Sequence, residues 1–333
     1  MDRRARRAAF VAAIAVMISI AQAQDNPYRE DGWAKLPDGR KWGQTSAVDI
    51  DRGGNIWVFE RCGANSCIGS TLAPLVRLSP SGRYLKSFGA GMFAFPHGIH
   101  IDRAGNVWVT DADGKEGKGH QVVKFSAEGK VLLTLGKAGV AGNGPDTFNR
   151  PSDVITAPNG NIFVADGHGG DSNARVVKFS KDGTFIKTWG KKGAAAGEFD
   201  QPHALAMDSK GRLFVGDRAN SRIQIFDQDG NFLEEWKQFG RPSGLFIDRN
   251  DVLYVADHQS NAKLNPGFKR GVRIGSAKDG SVATLIPGLG ADPETHSVGE
   301  GVMADALGNV YWAETAGMAV RKFARKTSTA AAR

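Results

Sequence analysis

A tight turn that feeds a short strand ending in an acid recurs six times along this chain, with glycine in the turn of five copies. The copies occupy residues 54–60, 105–111, 160–166, 211–217, 251–257 and 308–314. Each copy sits between alternating apolar segments, as residues 204–208 and 223–226 flank the fourth. Period-two alternation interrupted by hairpin turns predicts short antiparallel strands. Four-stranded units that cannot bury both faces alone must pack on their neighbours, which predicts an all-β fold, a six-bladed β-propeller.

The ends of the repeat array predict how the ring closes. The last unit reaches only its third strand, at residues 319–323, before a polar tail at 326–333. Residues 38–43 look like the turn and fourth strand of the other units. We therefore predict that this N-terminal segment completes the sixth blade, because closure removes an open sheet edge. The predicted propeller spans residues 38–325 and follows an N-terminal arm at 24–37.

The first 23 residues have the composition of an export signal. A basic start is followed by a short apolar run and by Ala21-Gln22-Ala23, a small-x-small cleavage site, so the mature chain is predicted to begin at Gln24. The apolar run is too short to cross a bilayer core of about 30 Å. We predict a periplasmic or secreted protein with no membrane span in the mature chain.

The charge distribution argues against a nucleic-acid partner. The signal segment holds four arginines and one aspartate, so its removal lowers the formal net charge from +8 to +5. The remaining basic residues are scattered among acids and form no basic block. We predict a monomer that acts on a small-molecule or peptide substrate.

The chain has two cysteines, Cys62 and Cys67. In an oxidising compartment this spacing predicts a disulfide that pins a local loop. A metal-binding C-x4-C motif is the alternative, but no second cysteine pair exists to complete it.

One position of the repeat varies from blade to blade. It lies at the entrance of each blade's first strand, and we term it the slot. Because the first strand of a propeller blade lines the central channel, the slot is expected to face the channel mouth. In blade order, the slot residues are Ser46, His97, Ser152, His203, Ser243 and Glu300.

The three slot residues of the even blades can bind a metal. Blades two, four and six are about 120° apart around a six-bladed ring, so His97, His203 and Glu300 are expected to converge on one point. Two imidazoles and a carboxylate with an open fourth position form a catalytic zinc set. The alternatives are histidines that only hydrogen-bond to neighbours and water, or a harder cation held by Glu300 and backbone carbonyls.

Loops at the ends of the second strands carry further candidates. The acid that ends each second strand recurs in all six blades, which favours a role in fixing loops. Arg61 and Arg218 follow this acid in blades one and four. Each forms either a surface salt bridge or a clamp for a carboxylate or oxyanion. His168 on the blade-three loop is either a general base or a solvated loop histidine, and His258 on blade five is a weaker candidate.

These residues resemble a known family. The repeat looks like the NHL repeat, and the two Pro-His motifs with residues 59–61 and 217–218 resemble the peptidyl-α-hydroxyglycine α-amidating lyases. The resemblance implies a six-bladed propeller with a channel zinc on three histidines and a nearby calcium. It implies cleavage of a peptidyl-α-hydroxyglycine into a peptide amide and glyoxylate. By resemblance His97 and His203 are zinc ligands, and Arg61 and Arg218 hold the substrate's carboxylate and hydroxyl region.

The chain departs from that family at three positions. Glu300 replaces the third zinc histidine, Gly301 replaces the acid after it and so weakens the implied calcium site, and His168 replaces a loop tyrosine. The resulting hypothesis is a secreted, metal-dependent, lyase-like enzyme, with zinc as the expected metal and Arg61, His168 and Arg218 as catalytic residues. The alternatives are a non-catalytic periplasmic propeller that binds a peptide, glycan or protein, and a lactonase-like hydrolase.

Overall fold

The computed structural model of the chain describes residues 26–37, 39–289 and 298–326. The predicted export signal lies outside these residues, as does most of the polar tail. The described chain is all-β, with 24 strands in six four-stranded antiparallel sheets. The predicted six-bladed β-propeller is therefore confirmed. Within the described residues, no helix is long and apolar enough to cross a membrane.

The strands of each blade run outward from the channel in chain order, with one exception in blade six. Blade one contains β2 (Thr45–Ile50), β3 (Ile56–Glu60), β4 (Leu75–Leu78) and β5 (Tyr84–Phe88). Blade two contains β6 (Pro96–Ile101), β7 (Val107–Asp111), β8 (Gln121–Phe125) and β9 (Val131–Leu135). Blade three contains β10 (Pro151–Thr156), β11 (Ile162–Asp166), β12 (Arg175–Phe179) and β13 (Phe185–Trp189).

The second half of the ring repeats this arrangement. Blade four contains β14 (Pro202–Met207), β15 (Leu213–Asp217), β16 (Arg222–Phe226) and β17 (Phe232–Trp236). Blade five contains β18 (Gly244–Ile247), β19 (Val252–Asp257), β20 (Gly271–Ser276) and β21 (Val282–Pro287). Blade six contains β22 (Gly301–Ala304), β23 (Val310–Glu314), β24 (Ala319–Arg325) and, as its outer strand, β1 (Tyr28–Asp31).

The inner strands contact one another in a closed ring, in the order β2, β6, β10, β14, β18, β22 and back to β2. Apolar side chains fill the spaces between successive sheets, with Trp57, Trp108, Phe163 and Phe214 almost fully buried. This packing is what a half-buried, alternating strand requires, since each sheet covers the exposed apolar face of the next. The inner ring therefore places all six slots at one end of the channel.

The ring is closed by an N-terminal strand, but the predicted segment was wrong. Tyr28–Asp31 pairs antiparallel with β24, from Tyr28 opposite Arg325 to Asp31 opposite Lys322. The chain just before β2 lies beside the loop after β3 instead, where the Gln44 N–H donates to Ala64 O at 2.8 Å. The closing strand thus belongs to the segment that the sequence suggested was an arm.

The acids that end the second strands organise the loops at the channel mouth, as predicted. Asp111 accepts hydrogen bonds from the backbone N–H groups of Ala94 and Phe95, just before β6. Asp217 accepts one from Asp200 N at 2.7 Å, before β14. Each carboxylate therefore ties the end of one strand to the approach of the strand that carries the slot.

Candidate metal centre

The slot residues are placed by β-bulges. In blade four, Pro202 and Ala204 pair with consecutive residues of β15, so the slot residue between them has no partner on that strand. A bulge leaves one residue outside the ladder and redirects its side chain, which is why bulges are common beside functional sites. The slot residues displaced in this way are Ser46, His97, Ser152 and His203.

Each slot histidine is oriented by the next blade. The Nδ1 of His97 lies 2.6 Å from the backbone O of Ser152, and the Nδ1 of His203 lies 2.6 Å from the backbone O of Ser243. A carbonyl oxygen only accepts, so Nδ1 carries the proton and Nε2 presents a lone pair. The alternation of serine and metal-capable residues therefore has a structural basis, because the odd blades supply the carbonyls that fix the tautomer.

The Nε2 lone pairs converge on a carboxylate. Glu300 Oε1 lies 3.4 Å from His97 Nε2 and 3.3 Å from His203 Nε2. Both Nε2 atoms are buried and have no hydrogen-bond partner among the described residues. Lone pairs and a carboxylate oxygen at this range repel one another unless a cation lies between them. Two ligand atoms on a tetrahedral zinc are themselves about 3.3–3.4 Å apart, so the predicted residues fit a bound metal.

Burial sets the protonation states of this group. It lowers the pKa of His97 and, more strongly, that of His203, although Glu300 opposes the shift in both. Burial also disfavours the ionised form of Glu300, but the nearby rings of His168, His203 and His97, which favour the carboxylate when they carry a proton, hold its pKa well below the usual range. Neutral imidazoles beside an ionised carboxylate are the forms that ligate a metal.

Arg61 lies at the mouth with one unpaired nitrogen. Its Nε donates to Pro96 O at 3.0 Å and its Nη1 donates to Asn65 Oδ1 at 2.9 Å, while the guanidinium stacks on the Phe95 ring 3.8 Å from its centroid. Its buried Nη2 has no hydrogen-bond partner in the described chain and lies 3.8 Å from Glu300 Oε2. The side chain is therefore held rigidly with a free donor directed at the cluster.

Arg218 faces the same point from blade four. Gln201 Oε1 accepts from both its Nε, at 3.2 Å, and its Nη2, at 2.9 Å. Its Nη1 lies 3.7 Å from Glu300 Oε1. Burial lowers the pKa of Arg218 to about 10, so it stays charged at neutral pH. Two guanidinium groups around one carboxylate leave the mouth positive, which suits an anionic ligand.

The predicted disulfide between Cys62 and Cys67 is present. It closes the loop that follows β3 and that carries Asn65, a partner of the Arg61 guanidinium. The covalent link therefore holds one wall of the mouth in place.

Two further histidines lie at the mouth. His168 Nε2 is 3.9 Å from Glu300 Oε1, and its ring centroid is 4.2 Å from that of His97. Burial, together with His97, lowers the pKa of His168 to about 3. His258 has a buried Nδ1 with no hydrogen-bond partner in the described residues, and burial lowers its pKa to about 4. His258 directly follows the acid that ends its second strand, as Arg61 and Arg218 do, and this position was the sequence signal that identified it.

A calcium site beneath the cluster stays a prediction. The channel there narrows to a space of about 50 Å³, lined by the inner strands of all six blades. A Cβ at Gly301 would lie 2.7 Å from Ser46 O, so the packed strands leave no room for the acid of the resembled family. Asp153 lines the space, but its two oxygens accept backbone N–H groups of Val154 and Leu205.

The fold and site define a class of protein. A family model described as the NHL repeat matches residues 199–226, which contain β14, β15 and β16. The chain is a six-bladed β-propeller with an NHL-repeat match in its fourth blade and a buried imidazole–carboxylate cluster in its channel.

Its curated relatives include α-amidating enzymes. Peptidyl-glycine alpha-amidating monooxygenase B of Xenopus laevis is 37% identical over an alignment of 203 positions, which covers 54% of this chain and 22% of the relative. The probable peptidyl-alpha-hydroxyglycine alpha-amidating lyase of Caenorhabditis elegans is 33% identical over 197 residues, 53% of each chain. Human NHL repeat-containing protein 3 is 33% identical and matches 57% of this chain and 54% of the relative. The matched part thus spans from about a fifth to about half of these relatives' lengths.

Solved structures support the fold. A gluconolactonase from Xanthomonas campestris matches with a TM-score of 0.59 at 17% identity, over 90% of this chain and 88% of that one. Virginiamycin B lyase from Staphylococcus aureus matches with a TM-score of 0.56 at 16% identity, over 91% and 85%. At such low identity the likeness concerns the fold alone.

Proposed function

We propose that this protein is an exported, metal-dependent lyase that cleaves the C–N bond of a peptidyl-α-hydroxyglycine or a close analogue. The observation that carries the proposal is the convergence of two unpartnered Nε2 lone pairs, on His97 and His203, upon the Glu300 carboxylate. Homology to α-amidating lyases supports the reaction class. The disulfide supports export to an oxidising compartment.

The residues have complementary tasks in this proposal. His97, His203 and Glu300 would hold the cation, and zinc suits this ligand set. Such a cation, when bound, would supply Lewis-acid polarisation of a substrate hydroxyl. Arg61 Nη2 and Arg218 Nη1 both face Glu300 and can pair with the substrate's carboxylate. Binding of that carboxylate would orient the α-carbon towards the imidazoles.

The reaction needs one proton to move from oxygen to nitrogen. His168 accepts the proton of the α-hydroxyl group, and the oxygen's electron pair forms the C=O bond of glyoxylate. The C–N bond breaks, and its electron pair goes to the amide nitrogen, which receives the proton. Atoms and charges balance without an oxidant or a second reactant. The imidazole lies at the mouth, 3.9 Å from Glu300 Oε1, and its neutral form has the free lone pair that can accept a proton.

The test combines metal analysis with an assay for glyoxylate from an α-hydroxyglycine peptide. The purified protein is expected to bind one zinc per chain and to release glyoxylate, and His97→Ala is expected to lose both properties. His100→Ala is the matched control on the same strand, because its Nε2 already has a partner in Thr156 Oγ1 at 2.9 Å. Absence of bound metal, or turnover that survives a chelator, would overturn the proposal. A metal-loaded protein that forms no glyoxylate would overturn the lyase reaction alone.

A further inference from the structure

The loop between β11 and β12 brings a fourth ligand atom to the cluster. His168 Nε2 lies 3.9 Å from Glu300 Oε1, and the ligand atoms of His97, His168, His203 and Glu300 all lie within 4.8 Å of one another. A separation of 3.9 Å is too long for a hydrogen bond and about 0.5 Å longer than that of two ligands on a tetrahedral zinc. We propose that His168 is the fourth ligand of the metal centre, so that four protein groups enclose the cation until substrate binds. This inference rests on the proposed metal centre.

The fold holds this loop at the channel. The backbone N–H groups of Gly167 and His168 both donate to Arg150 O at 3.0 Å, and Arg150 directly precedes β10. A Cβ on Gly167 would lie 2.5 Å from Asn173 O and 2.7 Å from Pro202 Cδ. A residue without a side chain is therefore required where the loop meets blade four. This close approach brings His168 beside the slot histidine that follows Pro202.

His168 differs from the other three ligands in its accessibility. Its side chain is 19% exposed, whereas those of His97, His203 and Glu300 are 4%, 0% and 6% exposed. Four protein ligands close a zinc site, whereas catalysis needs an open position. Of the four groups, His168 would give way to a substrate oxygen with the least disturbance, because the other three lie on the rigid inner ring. A displaced imidazole would then be free to take the hydroxyl proton.

Cobalt(II) in place of zinc gives a test that does not depend on turnover. His168→Cys would place a thiolate on the cobalt and produce a near-ultraviolet sulfur-to-cobalt charge-transfer band. The chain's two natural cysteines are joined in the disulfide, so they add no background. His258→Cys is the matched control, because His258 is also at the mouth but lies outside the four-residue cluster. In parallel, His168→Ala is expected to weaken cobalt binding at least about tenfold in a chelator competition, since even outer-shell losses cost that much.

The outcomes separate this inference from the proposed function. A wild-type protein that binds no cobalt would overturn the metal centre itself. If the wild type binds cobalt, but His168→Cys gives no band and His168→Ala keeps full affinity, the fourth ligand is overturned and the three-ligand centre stands. A band in His258→Cys as strong as in His168→Cys would also overturn it. Circular dichroism and thermal melting of each metal-free variant check that the propeller is intact.

Discussion

The channel contains two groups of buried ionisable side chains, and within the described residues the group at the mouth has buried nitrogen atoms without hydrogen-bond partners. At the mouth, His97 Nε2 has no hydrogen-bond partner in the described chain. Three residues further along β6, His100 Nε2 lies 2.9 Å from Thr156 Oγ1, and its Nδ1 lies 3.7 Å from Asp49 Oδ2. Burial lowers the pKa of both histidines. A perturbed pKa therefore does not by itself mark a functional site, whereas a buried polar atom without a partner does.

The carboxylates of the lower channel serve the scaffold. Asp49 Oδ2 accepts from Ile101 N at 2.6 Å, and Asp153 Oδ2 accepts from Leu205 N at 2.8 Å. These bonds join blade one to two and blade three to four, around a cavity of about 310 Å³. Burial raises the pKa of both carboxyl groups to about 7. At the mouth the opposite holds, because the surrounding imidazoles keep the Glu300 pKa low.

The largest expected effect follows from removal of the mouth's negative charge. Glu300→Gln leaves Arg61 and Arg218 without a buried counter-charge, so it should lower the free energy of unfolding of the metal-free protein at pH 7 by about 3 kcal/mol. Asp49→Asn in the lower channel loses only a hydrogen bond and should cost about 1 kcal/mol. Urea unfolding in the presence of a chelator measures both. Equal losses of unfolding free energy in the two variants would contradict the distinction between the mouth and the lower channel.

The disulfide lies at the channel mouth and not in the lower channel. Its removal should therefore affect substrate binding as well as stability. Replacement of Cys62 and Cys67 by serine opens a short loop and should lower the free energy of unfolding by about 2 kcal/mol. Because the loop carries Asn65, the KM for an anionic substrate should rise more than kcat falls. Asn65→Ala should raise KM with little loss of stability. An unchanged KM in both variants would show that the disulfide-closed loop with Asn65 does not position Arg61.

The lower channel should show its own pH dependence. A raised folded pKa contributes stability that is fully present below the unfolded value of 3.8 and is lost as the pH rises through about 7. Asp153→Asn is uncharged throughout, so the substitution should be less destabilising at pH 8 than at pH 5, by about 1–2 kcal/mol. Denaturant titrations of the metal-free protein at both pH values test this. The same loss at both would mean that Asp153 ionises normally.

The smallest effect should come from removing the hydrogen-bond partner of His100, so that its Nε2 becomes unpartnered like that of His97. Thr156→Val removes the partner of His100 Nε2 and should cost about 1 kcal/mol of unfolding free energy. It should not create a second metal site, because one imidazole lacks the converging ligands of the mouth. Metal content per chain is the measurement. A second bound zinc in this variant would contradict the view that convergence defines the site.

The repeat made most of the fold and half of the site predictable. Period-two strands and a variable slot at a fixed position were enough to place His97, His203 and Glu300 around one axis. The bulges that direct His97 and His203 inward were not predictable, because they depend on pairing with the neighbouring strand. The proximity of His168 to the cluster depends on the path of a glycine-containing loop, which strand periodicity does not describe.

The closing strand was misplaced for a related reason. Residues 38–43 match the local pattern of an outer strand, but pairing with β24 is decided by distant contacts. Tyr28–Asp31 has only one buried residue and no glycine turn before it. An outer strand needs little apolar surface, so its sequence carries little information.

The closure of blade six has a consequence for folding. Glu30 on β1 and Arg321 on β24 form an ion pair across 291 positions of sequence. The final strand pairing therefore joins the two most distant parts of the propeller, which makes loop closure entropically costly and folding slow. Until β24 and β1 have both paired, the sixth sheet has an unpaired strand edge that other chains can bind. The period between synthesis and ring closure is thus when this protein is most vulnerable to aggregation.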